Sequence, residues 1–140
     1  MSGKAQHSDT HQELQPSDLV ELYKSGVNIS KFLRSRQDVG ANSTSIIEMS
    51  YELQAGSYVD AMNDKEVYDF KVNYARAIVQ EIQALGSFSS VMEAGVGEAT
   101  TLGFVAQGLG SNAAYYGFDI SWSRVAIARS SWHASPPGWP

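Results

Sequence analysis

Apolar residues recur at steps of three and four between residues 64 and 86, the spacing that places them on one face of an α-helix. The members of this stripe are Val67, Phe70, Tyr74, Ile78, Ile82 and Leu85. Asp64 precedes the stripe and Gly86 follows it, and these residue types commonly begin and end helices. The pattern therefore predicts one long helix, and we expect its apolar stripe to cover the strand that follows.

Between residues 87 and 134 two apolar runs alternate with two helical patterns. "FSSVMEAG" predicts a short strand, followed by a helix whose apolar face is Leu102, Val105, Ala106 and Leu109. "AAYYGFDIS" is apolar without alternation, which is typical of a parallel strand buried on both faces. Ser121 or Ser123 is expected to cap the last helix. This order predicts an α/β fold, the first β-α-β-α of a doubly wound parallel sheet.

Residues 17–86 are predicted to form an N-terminal helical region. Ser17 is a candidate cap for "SDLVELYKSG", with Gly26 as its stop, and Ser30 is a candidate cap for "SKFLRSR". Residues 1–16 are polar and aperiodic, which predicts a disordered lead-in. The prolines of residues 135–140 predict an irregular tail.

Two histidines of the lead-in, His7 and His11, would lie on one face of a helix, with Asp9 between them. Nothing nearby favours that helix, and a third firm metal ligand is missing. No metal site is predicted.

Composition narrows the classes of protein. The 140 residues are one domain's worth, and the absence of cysteine excludes disulfides and thiolate chemistry. A net charge of −5 argues against nucleic acid or an anionic membrane as the main partner. No apolar run is long enough for a signal peptide or a membrane span, so a cytoplasmic protein is expected.

The junction "VMEAGVGEATTLG" joins a strand, a glycine turn and a helix. A dinucleotide site favours a third small residue after the two glycines, but Thr100 stands there. Glu93, two residues before Gly95, would repel a pyrophosphate and favour a ligand with an ammonium group. Asp119 ends the next strand, where an acid typically accepts both hydroxyls of a ribose. The pattern favours a nucleoside with a cationic portion and no phosphates, and S-adenosylmethionine has those features.

"VMEAGVGEATTL" and "YYGFDISWSRVAIAR" together resemble motifs I and II of the class I S-adenosylmethionine-dependent methyltransferases. The resemblance implies that Glu93 lies near the methionine amino group and that Gly95 and Gly97 form the loop beneath the cofactor. It further implies that Asp119 binds the ribose hydroxyls and that Ile120 flanks the adenine. A different interpretation of Asp119 is that it only caps the helix that follows.

The upstream segment "SYELQAGSY" is similar to the segment that covers the cofactor in many of these enzymes. By that likeness Tyr51, Gln54, Gly56 and Tyr58 are further candidate contacts. For Tyr51 and Tyr58 the sequence favours a packing role over a ligand contact.

The sequence departs from the family because class I enzymes have a seven-stranded sheet and only two strands are predicted here. We expect the chain to be truncated after motif II, with an unpaired sheet edge through which copies self-associate. No catalytic base and no contact to a methyl acceptor can be assigned, so the acceptor is unknown. Two other classes stay open, which are a fragment of an NAD- or FAD-dependent oxidoreductase and a non-catalytic remnant that serves as an interaction module.

Overall fold

The computed structural model describes residues 14–134 and has an α/β architecture. Within those residues the chain forms seven helices and a parallel sheet of two strands. In chain order the elements are α1 (Pro16–Lys24), α2 (Ile29–Gln37), α3 (Thr44–Glu52), α4 (Ser57–Ala61), α5 (Lys65–Leu85), β1 (Ser90–Ala94), α6 (Thr100–Leu109), β2 (Ala114–Phe118) and α7 (Trp122–Ala134). Most of the predicted lead-in, with His7 and His11, and the predicted tail lie outside the described residues.

The first two helices begin earlier than predicted. Gln15 caps α1 and Pro16 is its first residue, so Ser17 lies inside the helix and is not its cap. Asn28 caps α2, because its side-chain oxygen accepts a backbone N–H three residues ahead. The prediction that Ser30 caps this helix is therefore wrong, since an amide oxygen placed two residues earlier already does so.

Helices α1, α2 and α3 pack around a small apolar cluster of their own. Its buried members are Leu19, Ile29, Leu33 and Ile46. Ser50 on α3 is buried beside this cluster, and its hydroxyl lies 2.8 Å from that of Ser30. This helical unit reaches the rest of the molecule through α3, which contacts α7.

Helix α5 begins and ends as predicted, with Asp64 accepting the first backbone N–H groups and Gly86 following its last residue. Its predicted packing on β1 is wrong. The buried residues of α5 are Ala75 and Val79, which pack against Phe104 and Val105 of α6. Small side chains let the two helices approach closely, so the larger residues of the predicted stripe stay at the margin. Phe70, for example, is 66% exposed.

The two strands are parallel as predicted, with Met92 opposite Tyr116. The inner face of the sheet packs on α6 and α7 through Val91 and Tyr115. The prediction that the second strand is buried on both faces is wrong. On the outer face Met92 is 67% exposed and Tyr116 58% exposed, because no described element covers that side.

Within residues 14–134 no helix combines the length and the apolar composition that crossing a bilayer requires.

Candidate functional site

The glycine turn between β1 and α6 is fastened to the end of β2. The N–H groups of Gly95 and Val96 both donate to the carbonyl oxygen of Phe118, at 2.8 and 3.0 Å. The N–H of Gly97 donates to Oδ2 of Asp119 at 2.8 Å. A turn of this kind commonly aims its free N–H groups at a ligand. Here three successive donors are already taken inside the protein.

Asp119 joins the turn to the start of α7. Its second oxygen, Oδ1, accepts the N–H of Ser121 at 2.9 Å. The hydroxyl of Ser121 in turn accepts the N–H of Arg124 at 3.3 Å, so Ser121 is the helix cap, one of the two residues predicted. Each carboxylate oxygen of Asp119 keeps a further lone pair, because an ionised carboxylate has about four acceptor sites. Asp119 can therefore hold the turn and still accept hydrogen bonds from a ligand.

Two features of the backbone at Gly97 favour glycine. Its φ of +53° is a conformation that residues with a Cβ rarely adopt. A Cβ at this position would stand 2.4 Å from Nη2 of Arg124 and 2.8 Å from its Cζ. The glycine thus allows the guanidinium group to lie directly against the turn.

Arg124 is a buried cation at this site, with 8% of its surface exposed. Its guanidinium carbon lies 4.7 Å from the ring centre of Tyr58 and 5.3 Å from that of Tyr51. Its Nε lies 3.7 Å from Oε1 of Glu98. That distance makes an ion pair without a hydrogen bond, and the Nε is buried with no hydrogen-bond partner.

Glu98 fastens the segment between α3 and α4 onto the glycine turn. Its side chain is buried, with 1% of the residue exposed. Its two oxygens accept the N–H groups of Gly56 at 2.9 Å and Val59 at 2.7 Å, at the start of α4. A second link comes from Glu52, which accepts the N–H of Ser123 at 3.3 Å. Hydrogen bonds from Ser123 hold the pKa of Glu52 below its usual range.

Glu93 is the next-to-last residue of β1, on the other side of the turn. Burial raises the pKa of its carboxyl group, and the charge of Lys71 and the N–H of Leu102 oppose that rise. One oxygen, Oε2, is buried without a hydrogen-bond partner. The ammonium group of Lys71 donates to the hydroxyl of Thr101 at 3.3 Å. A half-buried carboxylate with a free acceptor is suited to a cationic group on a ligand.

These parts surround one cleft of about 450 Å³. Its walls include six of the nine candidate contacts selected from the sequence, namely Tyr51, Tyr58, Glu93, Gly95, Asp119 and Ile120. Gly97 does not line the cleft but is bonded to Asp119, which does. Gln54 and Gly56 do not line it either, and Gly56 contributes its N–H to Glu98 instead.

A second groove of about 460 Å³ lies between α5 and β1 and shares Lys71, Glu93 and Thr101 with the cleft. Most of its wall is apolar, and Phe70, Tyr74, Ile78 and Ile82 of α5 contribute to it. The apolar stripe predicted for α5 therefore faces this groove rather than a packed strand.

The sequence analysis missed three charged residues of the cleft: Lys71, Glu98 and Arg124. One available signal was the position of Arg124, in the first turn of a helix that directly follows the strand-end acid. The position of Glu98, an acid directly after the second glycine of the turn, was a second available signal. Their ion pair brings together residues far apart in sequence, and no spacing rule foretells it.

Comparison of the chain with protein-family models, with curated proteins and with solved structures finds no significant match. The interpretation of the site therefore depends on its own geometry and chemistry.

Proposed function

We propose that the described residues form the cofactor-binding part of an S-adenosylmethionine-dependent methyltransferase, with the start of a doubly wound sheet and an unidentified methyl acceptor. The supporting observation is the shared cleft. Residues chosen from three separate segments, around Tyr51, Glu93 and Asp119, line the same cavity. Such convergence of separate segments on one concave site is what a ligand site requires.

The charges of the cleft favour a cationic ligand. Three carboxylates line it, those of Glu93, Glu98 and Asp119, against the two cations Lys71 and Arg124. The Glu98 side chain is fully buried, whereas Glu93 and Asp119 are only partly buried, so Glu93 and Asp119 are the acids that a ligand can reach. Glu93 suits the ammonium group of the methionine portion, and Asp119 suits the ribose hydroxyls.

The hydrogen bonds of the turn argue against a phosphate ligand. A pyrophosphate is normally held by free backbone N–H groups at such a turn. The N–H groups of Gly95, Val96 and Gly97 are all taken by Phe118 and Asp119. A ligand without phosphates loses nothing by this arrangement.

A second candidate function is that of a dinucleotide-dependent oxidoreductase, because the guanidinium of Arg124 lies against the turn and would attract a phosphate. The carboxylates of Glu93 and Glu98 beside it oppose that interpretation.

Calorimetric titration separates the two candidates. S-adenosylhomocysteine is expected to bind, with NAD weaker by at least about tenfold, or ~1.4 kcal/mol. Asp119→Asn should weaken S-adenosylhomocysteine, and Asp38→Asn is the matched control because Asp38 is an exposed acid at the end of α2, outside the cleft. NAD binding the tighter would overturn the proposal.

A further inference from the structure

Arg124 has donor capacity that its protein neighbours do not use. Its only acidic contact described above is Glu98, whose two oxygens already accept the N–H groups of Gly56 and Val59. The Nε of Arg124 is 3.7 Å from Glu98 and is buried without a hydrogen-bond partner. A buried donor without a partner costs free energy, so an acceptor supplied by a ligand would bind there favourably.

The guanidinium group is also held in place before any ligand arrives. The rings of Tyr51 and Tyr58 stand within 5.3 Å of its carbon, and the turn at Gly97 closes another side. Cation–π contacts of this kind restrict the group while leaving its N–H edges as donors. Arg124 nevertheless lines the cleft, and 10% of its side chain is exposed.

The other cation of the cleft is placed differently. Lys71 donates to the hydroxyl of Thr101 and lies close enough to Glu93 for its charge to lower the pKa of that carboxyl. It is therefore balanced by Glu93, while the Nε of Arg124 lies 3.7 Å from the nearest Glu98 oxygen, too far for a hydrogen bond. Of the two, Arg124 has the greater need of an anionic acceptor.

We infer that Arg124 binds a carboxylate of the ligand, and, on the proposed function, that this is the carboxylate of the methionine portion. A planar guanidinium matches a carboxylate through two parallel N–H···O bonds, which a lysine cannot make. The ligand's ammonium group then faces Glu93, so that one cleft recognises both ends of an amino acid. Arg124 thus selects ligands that carry an amino-acid end over plain nucleosides.

The test compares ligands with and without that end on the full 140-residue chain. S-adenosylhomocysteine and 5′-methylthioadenosine share the nucleoside, but only the first has the carboxylate and the amine. Arg124→Gln is expected to weaken S-adenosylhomocysteine about tenfold to a hundredfold and to leave 5′-methylthioadenosine unchanged. Arg124→Lys keeps the charge and should recover part of the loss. Arg129→Gln is the matched control, since Arg129 is on the same helix but stacks on Trp122 and does not line the cleft.

Equal weakening of both ligands by Arg124→Gln would overturn the inference, because it would show that Arg124 only supports the tyrosines and the turn. An unchanged affinity for both would overturn it as well. If the wild-type chain binds neither ligand, the proposed function fails and this inference fails with it, which is a different outcome from the first two.

A ligand-side comparison keeps the inference testable if Arg124→Gln does not fold. Decarboxylated S-adenosylhomocysteine retains the amine and lacks the carboxylate. The wild-type chain should bind it about tenfold or more weakly than S-adenosylhomocysteine. Equal affinities for the two would overturn the inference.

Discussion

Replacement of Gly97 by alanine tests whether the glycine turn lies against a buried guanidinium group. The backbone at Gly97 has a φ of +53°, and a left-handed conformation costs an L-residue roughly 1–2 kcal/mol. The new Cβ would also stand 2.4 Å from Nη2 of Arg124. Overpacking a confined site costs about 1–3 kcal/mol more.

The arginine cannot easily move away from this Cβ, because Tyr51 and Tyr58 stack on it and Glu98 pairs with it. We therefore expect Gly97→Ala to lower the free energy of unfolding by roughly 2–5 kcal/mol, the sum of the strain and the overpacking. Urea unfolding followed by circular dichroism measures this loss.

Gly95→Ala is the matched control. Gly95 also has a positive φ, +73°, but a Cβ there would meet nothing within 4 Å. Its loss should be that of the backbone strain alone, roughly 1–2 kcal/mol. In an Arg124→Lys background, which keeps the positive charge and lacks Nη2, the penalty of Gly97→Ala should fall toward the same value. Equal losses for the two glycines, or a Gly97→Ala loss that is the same in both backgrounds, would refute the placement of Arg124.

Further predictions concern the acids of the cleft and the outer face of the sheet. Asp119→Ala removes hydrogen bonds to a charged acceptor, worth roughly 1.5–3 kcal/mol each before water compensates for part of the loss. The net effect should be an affinity for S-adenosylhomocysteine about tenfold to a hundredfold weaker. An unchanged affinity in calorimetry would show that Asp119 serves only to hold the turn and the start of α7. Burial raises the pKa of Glu93, so its protonated form adds stability below the ordinary glutamate pKa, and this stability is lost as the pH rises through the raised value. The melting temperature should therefore decline over that pH range, and Glu93→Gln should make the decline smaller. Parallel plots of melting temperature against pH for the two proteins would contradict this. Glu98→Gln leaves the buried Arg124 without its partner charge and should lower the free energy of unfolding in urea by roughly 3–5 kcal/mol. A loss below about 1 kcal/mol is typical of an exposed ion pair and would count against a buried one. The exposed sheet face around Met92 predicts that copies of the chain self-associate. In sedimentation velocity, Met92→Lys should reduce this association, and Val39→Lys, at an exposed loop position, should not. A wild-type chain that sediments as a monomer would contradict the prediction.

Much of the local structure of the described residues was predictable because its causes are local. Helix α5 begins after Asp64 and ends before Gly86, as the capping rules predict. The two apolar runs form parallel strands, and the glycine turn lies between β1 and α6. Capping and periodicity act over a few residues, so the sequence carries them directly.

The predictions that proved wrong concern contacts between segments that are distant in sequence. The apolar stripe of α5 predicted that large residues such as Phe70 form its buried face. The contact between α5 and α6 instead buries Ala75 and Val79. Continuous apolarity in β2 predicted burial of Tyr116, yet burial needs a covering element, and none of the described residues supplies one. Periodicity shows which face of an element is apolar but not which neighbour covers it.

The candidate site shows the same division. Glu93 and Asp119 were predictable because strand-end acids beside a glycine turn have a known chemical use. The burial of Arg124 was not predictable, since an arginine in a helix usually extends into solvent. It depends on Glu98, Tyr51 and Tyr58, which come close to Arg124 only in the folded chain.

Amide chemical-shift mapping can show whether the glycine turn, the end of β2 and the segment of residues 50–58 form one site for an S-adenosyl ligand. The ¹⁵N-labelled chain is titrated with S-adenosylhomocysteine and, separately, with NAD at the same concentrations. We expect S-adenosylhomocysteine to shift the amides of Gly95, Gly97 and Asp119 together with those of Tyr51 and Tyr58, while NAD leaves them nearly unchanged. Larger shifts of these amides with NAD, or no shift with S-adenosylhomocysteine at millimolar concentration, would contradict it.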